Sequence, residues 1–489
     1  MRQRFEAQLL LGQLPIEDFY LSQKSKSTLD DLLRALHKLY CEPDYNSQIF
    51  SVLEKYLKNN KKNTGRKGLD LWIIFVLAQL RLCKDLTYED LHNLANNHHD
   101  LRHLMGVERE HRFERVEFTY QNIYDNVSSL SDQMLKELNE IIVKFGNCLV
   151  FKKKEGVASA LKTDSYVVEA NVHFPTDYNL LYDCIRKCCD TLTYFQKNNP
   201  SVKGYRKMND WHKTLKNLMR QVGQISSKGG ANKEERLKKI AQTYLEKAKL
   251  FEVKMKKAIL EFPQTTIEDI AQMESLLMYI DLMVKHIDLV NRRIMLQEVI
   301  PHEEKIFSIF EQYTEWITKG KQHRSVELGK KLLVTSNEFN LIVDYQIMEN
   351  QSDSQALKAL ADRISTQYRI GSWSFDKGFY SLDNKEYLKK KVDKVIMPKK
   401  GKCNKEEKIQ ESTSEFKKLR NKHSAIESNI NELENRGLNR CPDRNYEHFK
   451  TYVALGICAY NLKKIGRELL KQQINEERKK LKSKFRLAA

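Results

Sequence analysis

The sequence predicts a mixed α/β protein in which a few strands are separated by long helical regions. A β-branched and aromatic run at residues 166–168 follows Asp164 and ends at a polar turn with Pro175, which is typical of a short buried strand. Further strand-like runs occur after residue 302, whereas residues 1–150 and 179–299 have apolar residues at helical spacing. Together these patterns indicate one sheet combined with two extensive helical segments.

Residues 1–150 predict an all-helical N-terminal domain. Helical apolar spacing covers residues 29–39, and a buried helix starts near Leu69. Thr87 and Thr119 each precede a further helix, where a hydroxyl can accept a hydrogen bond from the free amides of the first turn. Three short capped helices favour a helix-turn-helix-like module that binds DNA, and a plain helical bundle used for dimer contacts is the alternative.

The segment 179–299 predicts a basic helical insertion after the first strand. Residues 195–262 contain 17 Lys and Arg against 6 Asp and Glu, so more than half of the net charge of +19 lies there. Such helices can contact a DNA backbone through non-specific phosphate interactions, although a solvated coiled-coil arm is the alternative. The candidate phosphate contacts in this insertion are Lys238, Lys239, Lys256 and Lys257.

After residue 302 the pattern alternates between strands and helices. Two apolar runs, 327–335 and 339–347, are separated by a short polar turn and predict an antiparallel hairpin. The remaining segments predict a helix at 354–367, a strand at 373–376, a helix at 382–390, a strand at 392–397, a basic loop at 399–408 and a helix that begins near His423.

The composition indicates a polyanionic partner. The isoelectric point near 9.2 and the excess of Lys and Arg suit nucleic acid or an anionic membrane surface. The most apolar stretch, 71–82, is too short to span a bilayer, which needs about 20 residues, and the N-terminus has no signal-peptide pattern. Nine scattered cysteines without a CxxC pair suggest thiols in a reducing cytoplasm.

Three acids stand at the edges of the segments that predict the sheet and its last helix. Asp164 precedes the first buried run, Asp376 is the last residue of the strand at 373–376, and Glu427 lies on the helix that begins near His423. Any one of them could be an ordinary turn or cap residue. They are far apart in the sequence, so a sheet would have to bring them together.

The sequence segments around these acids resemble those of a known protein family. The segments KTDSYVVEANVHFPTD, SFDKGF and HSAIESNINELENRGLNRCPD are similar to the three motif regions of bacterial insertion-sequence DDE transposases, most closely the ISNCY-type group. The segments 307–321 and 452–466 are similar to that family too. The resemblance covers most of the chain from about Leu161 onward and, more loosely, the N-terminal region.

The resemblance implies an RNase H-like catalytic core made of residues 155–178 and 300–470, followed by a basic C-terminal tail at 471–489. It also implies that Asp164, Asp376 and Glu427 hold two Mg²⁺ or Mn²⁺ ions. Carboxylates suit this role because Mg²⁺ prefers oxygen ligands, and two such ions can stabilise the attacking and leaving oxygens of a phosphodiester. The rival acids are Glu169 and Asp177 beside the first motif, and Glu432 and Glu434 beside the last.

One departure from the family pattern concerns the helix of the last acid. Many bacterial DDE transposases carry Tyr, Arg and Lys there, whereas this sequence has Arg420, His423 and Glu434 at the corresponding positions. The phosphate contacts of that signature therefore cannot be carried over unchanged. The candidate DNA-binding residues outside the insertion are Lys319, Lys321, Arg420, His423, Arg436 and Arg440.

Charge and resemblance together predict a transposase that binds the inverted terminal repeats of its element. It would cleave metal-dependently and join the freed 3′ ends to double-stranded target DNA, as a homodimer or larger assembly in the bacterial cytoplasm, associated with the nucleoid. The alternatives are a non-catalytic DNA-binding descendant, another nuclease on an RNase H fold, and a helical scaffold without an active site.

Overall fold

A computed structural model describes residues 3–5, 9, 11–24, 27–57, 68–109, 113–154, 156–318, 326–402 and 404–487. The chain divides into two compact units, which we call the sheet unit (Met1–Asn171 with Ile317–Ala489) and the helical unit (Val172–Trp316). The region predicted as a separate N-terminal domain therefore belongs to the same unit as the sheet.

The N-terminal part of the sheet unit is helical, as the sequence predicts. Thr87 Oγ1 accepts a hydrogen bond from the Asp90 amide at 3.1 Å, and Thr119 Oγ1 accepts one from the Asn122 amide at 3.2 Å, which confirms both predicted caps. The helices are α1 (Thr28–Tyr40), α2 (Pro43–Leu57), α3 (Leu71–Cys83), α4 (Tyr88–Asn97), α5 (His99–Leu104), α6 (Tyr120–Val127) and α7 (Asp132–Phe145).

Strand β1 (Ser159–Ala170) follows, and the next four helices build the helical unit. Their apolar faces share one core, in which Cys184, Cys188 and Cys189 are buried. Burial raises the pKa of all three thiols, so they behave as ordinary core residues. The helices are α8 (Asp177–Asn198), α9 (Met208–Ser227), α10 (Lys233–Glu261) and α11 (Ile267–Val290).

The rest of the chain alternates between strands and helices. The predicted basic loop at 399–408 is wrong in its second half because a helix begins at Lys405, and the predicted tail at 471–489 continues the last helix through Leu487. The elements are β2 (Glu315–Thr318), β3 (Val326–Ser336), β4 (Ile342–Ile347), α12 (Asp353–Gln367), β5 (Ile370–Phe375), α13 (Leu382–Lys389), β6 (Lys394–Ile396), α14 (Lys405–Ser412), α15 (Ser414–Leu433), β7 (Arg440–Cys441) and α16 (Tyr446–Leu487).

The strands form one mixed sheet, which confirms the mixed α/β class. Its order is β2-β3-β1-β5-β6, and β4 also pairs with β3 while β7 pairs with β1. Strands β1, β3 and β4 are antiparallel neighbours, whereas β5 runs parallel to β1 and β6 runs parallel to β5. The β3–β4 pair is the predicted hairpin.

Helix α16 explains why the N-terminal helices and the sheet form one unit. Its first half is buried against α1, α3 and α7. Asn461 on α16 donates to the Ile342 carbonyl of β4 at 2.9 Å and to Asn139 Oδ1 of α7 at 2.8 Å, and it accepts from the Ile342 amide at 2.8 Å. Among the described residues, no helix is long and apolar enough to cross a membrane.

Candidate active site

The pairing of β1 with β5 places two of the predicted acids side by side. Thr163 on β1 lies opposite Phe375 on β5 in a parallel register, so Asp164 and Asp376 are the next residues of two neighbouring strands. Asp164 Oδ1 accepts a hydrogen bond from the Ser165 amide at 2.7 Å. Asp376 follows the last residue of β5 and is exposed to solvent.

The electrostatics around Asp164 identify its neighbours. The pKa of Asp164 is raised to about 7, mainly by burial and also by the carboxylates of Asp376, Asp353 and Glu427, while the Ser165 amide acts in the opposite direction. Such charge effects decline with distance. The structure therefore brings the three predicted acids into one region and adds a fourth, Asp353.

Asp353 was not among the candidates from sequence. It is the first residue of α12, where Ser165 Oγ donates to its Oδ1 at 2.7 Å and Lys331 Nζ lies 3.3 Å away. A Cβ on Gly378 would approach Asp353 Oδ2 to 3.1 Å, so the turn after Asp376 packs closely against this carboxylate. The sequence signal was only a helix start, since a Ser-x-x-Gln capping box precedes α12.

His423 and Glu427 lie one turn apart on α15, but they face different surroundings. His423 Nδ1 lies 3.0 Å from Ser374 Oγ of β5, and burial lowers the pKa of this histidine while the charge of Asp376 opposes the shift. Among the described residues, His423 Nε2 is buried without a hydrogen-bond partner. Glu427 is exposed. The sequence-predicted DNA contact at His423 thus packs towards the sheet.

A cavity of about 510 Å³ lies beside the acids, between the sheet and α15. Lys162, two residues before Asp164 on the same strand, lines it and donates to Asn340 Oδ1 at 2.8 Å. Burial lowers the pKa of Lys162 to about 8. Ser374 and Lys422 also line the cavity. Ser374 is the residue of β5 that contacts His423, so this contact lies at the edge of the cavity.

The acids match the chemistry of a hard divalent cation, which prefers carboxylate oxygens. Within the part of the chain that the structure describes, no three His, Cys, Asp or Glu side chains are arranged to hold a metal ion. Mutual repulsion between carboxylates favours such separation. The donor set of Asp164, Asp376, Glu427 and Asp353 therefore fits Mg²⁺ or Mn²⁺ by ligand type, while the side chains as placed do not form its coordination shell.

The rival acids have other surroundings. Glu432 accepts hydrogen bonds from Lys463 and Lys464. Burial alone would raise the pKa of Glu432, but the two lysines outweigh it and lower the pKa to about 2. In the helical unit, Asp177 pairs with Arg293 at 2.9 Å. Glu169 lies on β1 opposite β7, and Glu434 lies in the turn after α15. We therefore omit all four rival acids from the candidate site.

The predicted DNA contacts on and after α15 differ in exposure. Arg420 and Arg440 are exposed. The Arg436 guanidinium is half-buried and donates to Thr28 Oγ1 at 3.2 Å and to the Cys83 carbonyl at 3.1 Å, which is an internal contact with α1 and α3. Lys319 and Lys321 lie outside the described residues.

The predicted phosphate contacts in the helical unit all lie on α10. Lys239 is exposed and Lys238 is half-buried. Lys256 and Lys257 pair with carboxylates one turn away on the same helix, at 2.7 and 3.3 Å. The positive charge of this second pair is therefore partly compensated within α10.

Residues 298–462 match the family model of the transposase DDE domain. The match supports a DDE transposase. It includes Asp353, Asp376 and Glu427, whereas Asp164 lies outside the matched segment. Comparison with curated proteins and with solved structures gave no match. DDE transposases act in the transposition of insertion sequences and generally use divalent metal ions.

Proposed function

We propose that this chain is the transposase of a bacterial insertion sequence of the ISNCY-type group. It binds the inverted terminal repeats of its element, cleaves DNA in a metal-dependent reaction and transfers the freed strands to target DNA. The observation that carries the proposal is the meeting of Asp164, Asp376 and Glu427, which come from two neighbouring strands and a helix near them. The matched transposase DDE domain supports it.

The sheet supports an RNase H-like core. Three antiparallel strands, β4, β3 and β1, are followed by two strands parallel to β1, with α12 and α13 in the connections. The strand that carries Asp164 is central, and the strand that ends at Asp376 is its parallel neighbour. This is the succession that the resemblance implies once the helical unit is left out.

Each acid has a distinct supporting contact. The Ser165 amide orients Asp164, and Ser165 Oγ with Lys331 orients Asp353. The contact between Ser374 and His423 holds α15, the helix that carries Glu427, against β5. In this proposal Asp164, Asp376 and Glu427 would together hold two Mg²⁺ or Mn²⁺ ions. Bound ions would stabilise negative charge on the attacking and leaving oxygens.

The DNA contacts of the proposed transposase follow from exposure. The exposed Arg420 and Arg440 would neutralise phosphates, and Lys239 with the half-buried Lys238 would do so on the helical unit; Lys319 and Lys321, which lie outside the described residues, stay candidates from the sequence alone. Of the three helices predicted as the DNA-binding module, α3 is buried along its whole length, so α4 and α6 would recognise the element ends. We also propose that the protein works as a homodimer or larger assembly on DNA, in the bacterial cytoplasm at the nucleoid.

The test uses duplexes that carry the inverted repeats flanking the gene. With Mg²⁺ or Mn²⁺ the wild type should cleave at the repeat end and join the 3′ end to a second duplex, and chelation should stop both steps. Asp164→Asn, Asp376→Asn and Glu427→Gln should each lower cleavage at least about 100-fold while leaving end binding nearly unchanged. Asp393→Asn, an exposed carboxylate in the same unit, is the matched control.

Two outcomes would contradict the proposal. Tight end binding without cleavage in either metal would favour a non-catalytic descendant. Cleavage without joining, or without preference for the repeats, would favour another nuclease on the same fold.

A further inference from the structure

Helix α11 of the helical unit has apolar residues on two opposite faces. One face is buried in the bundle and includes Met273, Leu276 and Ile280. The other is exposed, with 88% of Ile267, 46% of Ile270 and 42% of Leu277 accessible to solvent. A helix that packs on one side only is normally polar on the other. We call the exposed set the α11 stripe: Ile267, Ile270, Leu277, Met278 and Val284.

The charged residues within the α11 stripe are mostly acidic. Glu274 and Asp281 follow Ile267 and Ile270 at helical spacing and are exposed on the same face. Lys285 is exposed there as well, near the end of the helix. The stripe is therefore an apolar surface with a negative central part, although the chain as a whole carries a net charge of +19.

The neighbouring helix α10 has a stripe of opposite character. Leu250, Val253 and Leu260 are exposed, with 57%, 66% and 87% of each side chain accessible, and their spacing places them on one face. We call them the α10 stripe. Three lysines, Lys249, Lys256 and Lys257, surround it, and the acid Glu246 lies further along the same face. Glu252 and Glu261 of the same helix partly compensate Lys256 and Lys257, so the surroundings of the stripe keep a smaller positive excess.

The two stripes are complementary to each other in charge and alike in apolar character. Helices α10 and α11 contact each other and are joined by residues 262–266 alone, so they are antiparallel neighbours. A two-fold axis along this helix pair would place α10 of each copy across α11 of the other. Apolar residues would then meet apolar residues, and lysines would face acids at both contacts, as a symmetric interface requires.

We propose that the α10 and α11 stripes form a self-association surface, with α10 of one copy against α11 of a second copy of this chain. Exposed apolar side chains on neighbouring helices usually mark a protein contact when they form one surface. Duplex DNA fits it less well, because the acids of the α11 stripe repel phosphates and aliphatic side chains gain nothing from them. This inference rests on the homodimer of the proposed function and names its surface, and it can fail while the proposed cleavage chemistry stands.

The first experiment measures the association of the full-length protein by sedimentation equilibrium. The wild type should form a dimer, and Leu277→Asp should raise the dissociation constant at least about tenfold, because it buries a charge at the centre of the contact. Lys213→Glu, an exposed position on α9, is the control and should leave association unchanged. Circular dichroism melting of each variant separates lost association from lost folding.

The second experiment tests the crossed geometry by charge reversal. One variant carries Lys249→Glu, Lys256→Glu and Lys257→Glu, and the other carries Glu274→Lys and Asp281→Lys. Each variant alone should associate at least about tenfold more weakly, because like charges face each other in both contacts. An equimolar mixture should regain dimers close to the wild-type affinity, since both contacts of the mixed dimer again pair opposite charges.

Several results would overturn the inference. If the wild type stays monomeric up to tens of micromolar, a second copy of this chain is not the partner of the two stripes. The crossed arrangement would be excluded if neither set of charge reversals changes the dissociation constant of the dimer. It would also be excluded if the mixture associates no more tightly than the separate variants. Reversals on α10 that weaken binding to a random duplex while dimerisation stays intact would assign this face to DNA.

Discussion

At the scale of single residues, surroundings separate acids that look alike in sequence. Glu427 and Glu432 lie on the same helix, yet Glu427 is exposed and raises the pKa of Asp164, whereas Glu432 is paired with two lysines of α16. In the proposed function the first acid takes part in the chemistry, whereas the ion pairs of the second stabilise the fold. Their roles can be separated by matched substitutions.

We expect Glu432→Gln to destabilise the protein by roughly 2 to 3 kcal/mol at pH 7, because it leaves Lys463 and Lys464 without their carboxylate. The pKa of Glu432 is lowered by folding, so its stabilisation is fully present above about pH 5 and declines as the pH falls towards 2. Urea unfolding at several pH values measures this.

Glu427→Gln is the control, and its free energy of unfolding should stay within about 0.5 kcal/mol of the wild type. Equal destabilisation of both variants, or a difference for Glu432→Gln that does not shrink in acid, would show that the ion pairs contribute little. Normal cleavage by Glu427→Gln alongside lost cleavage in a folded Glu432→Gln would reverse the two roles.

At the scale of elements, α16 holds the sheet unit together. Its buried half contacts three N-terminal helices, and Asn461 satisfies the backbone of the edge strand β4. At Gly466 the helix approaches α1 so closely that an added Cβ would lie 1.6 Å from the Asp31 carbonyl oxygen. Glycine is therefore required at this crossing by sterics.

Gly466→Ala should lower the free energy of unfolding by about 1 to 3 kcal/mol, because the helices must separate to admit a methyl group. Gly229→Ala is the matched control, since a Cβ there would meet nothing within 4 Å, and it should be nearly neutral. Chemical denaturation compares the two variants. A neutral Gly466→Ala would mean that α1 and α16 adjust without cost.

At the scale of the whole molecule, the excess of positive charge is unevenly distributed. Residues 195–262 hold 17 Lys and Arg against 6 Asp and Glu, and α10 contributes many of these cations. Some of these cations, such as Lys256 and Lys257, pair with acids of the same helix. The total charge therefore overstates the number of cations that are free to contact DNA phosphates. The uncompensated cations should determine the salt dependence of binding.

We expect that replacing Lys238 and Lys239 by Gln weakens binding to duplexes of any sequence and reduces the slope of log K against log salt by roughly 1 to 2. The reason is that binding releases fewer counterions from the DNA when phosphate contacts are lost. Fluorescence anisotropy between low and moderate salt measures the slope. Lys389→Gln, whose ammonium already pairs with Glu386 at 2.8 Å, should leave the slope unchanged. An unaltered slope in the double variant would show that this face is only solvated.

The sequence by itself determined the local elements. The capped helices after Thr87 and Thr119, the β3–β4 hairpin and the strand that ends before Asp376 were all predictable, because periodicity, caps and turns depend on neighbouring residues. The three candidate acids were named from their motifs. Even so, local signals missed the start of α14 within the expected basic loop.

Only the tertiary structure decided which distant groups meet. Asp353 was visible as a first-turn acid of α12, but its position near Asp164 depends on the packing of that helix beside β1. Likewise, Arg436 had the spacing of a DNA contact, yet it binds Thr28 and Cys83 because α16 joins the N-terminal helices to the sheet in one unit. Burial and partners arise from contacts between remote segments, and no local pattern encodes them.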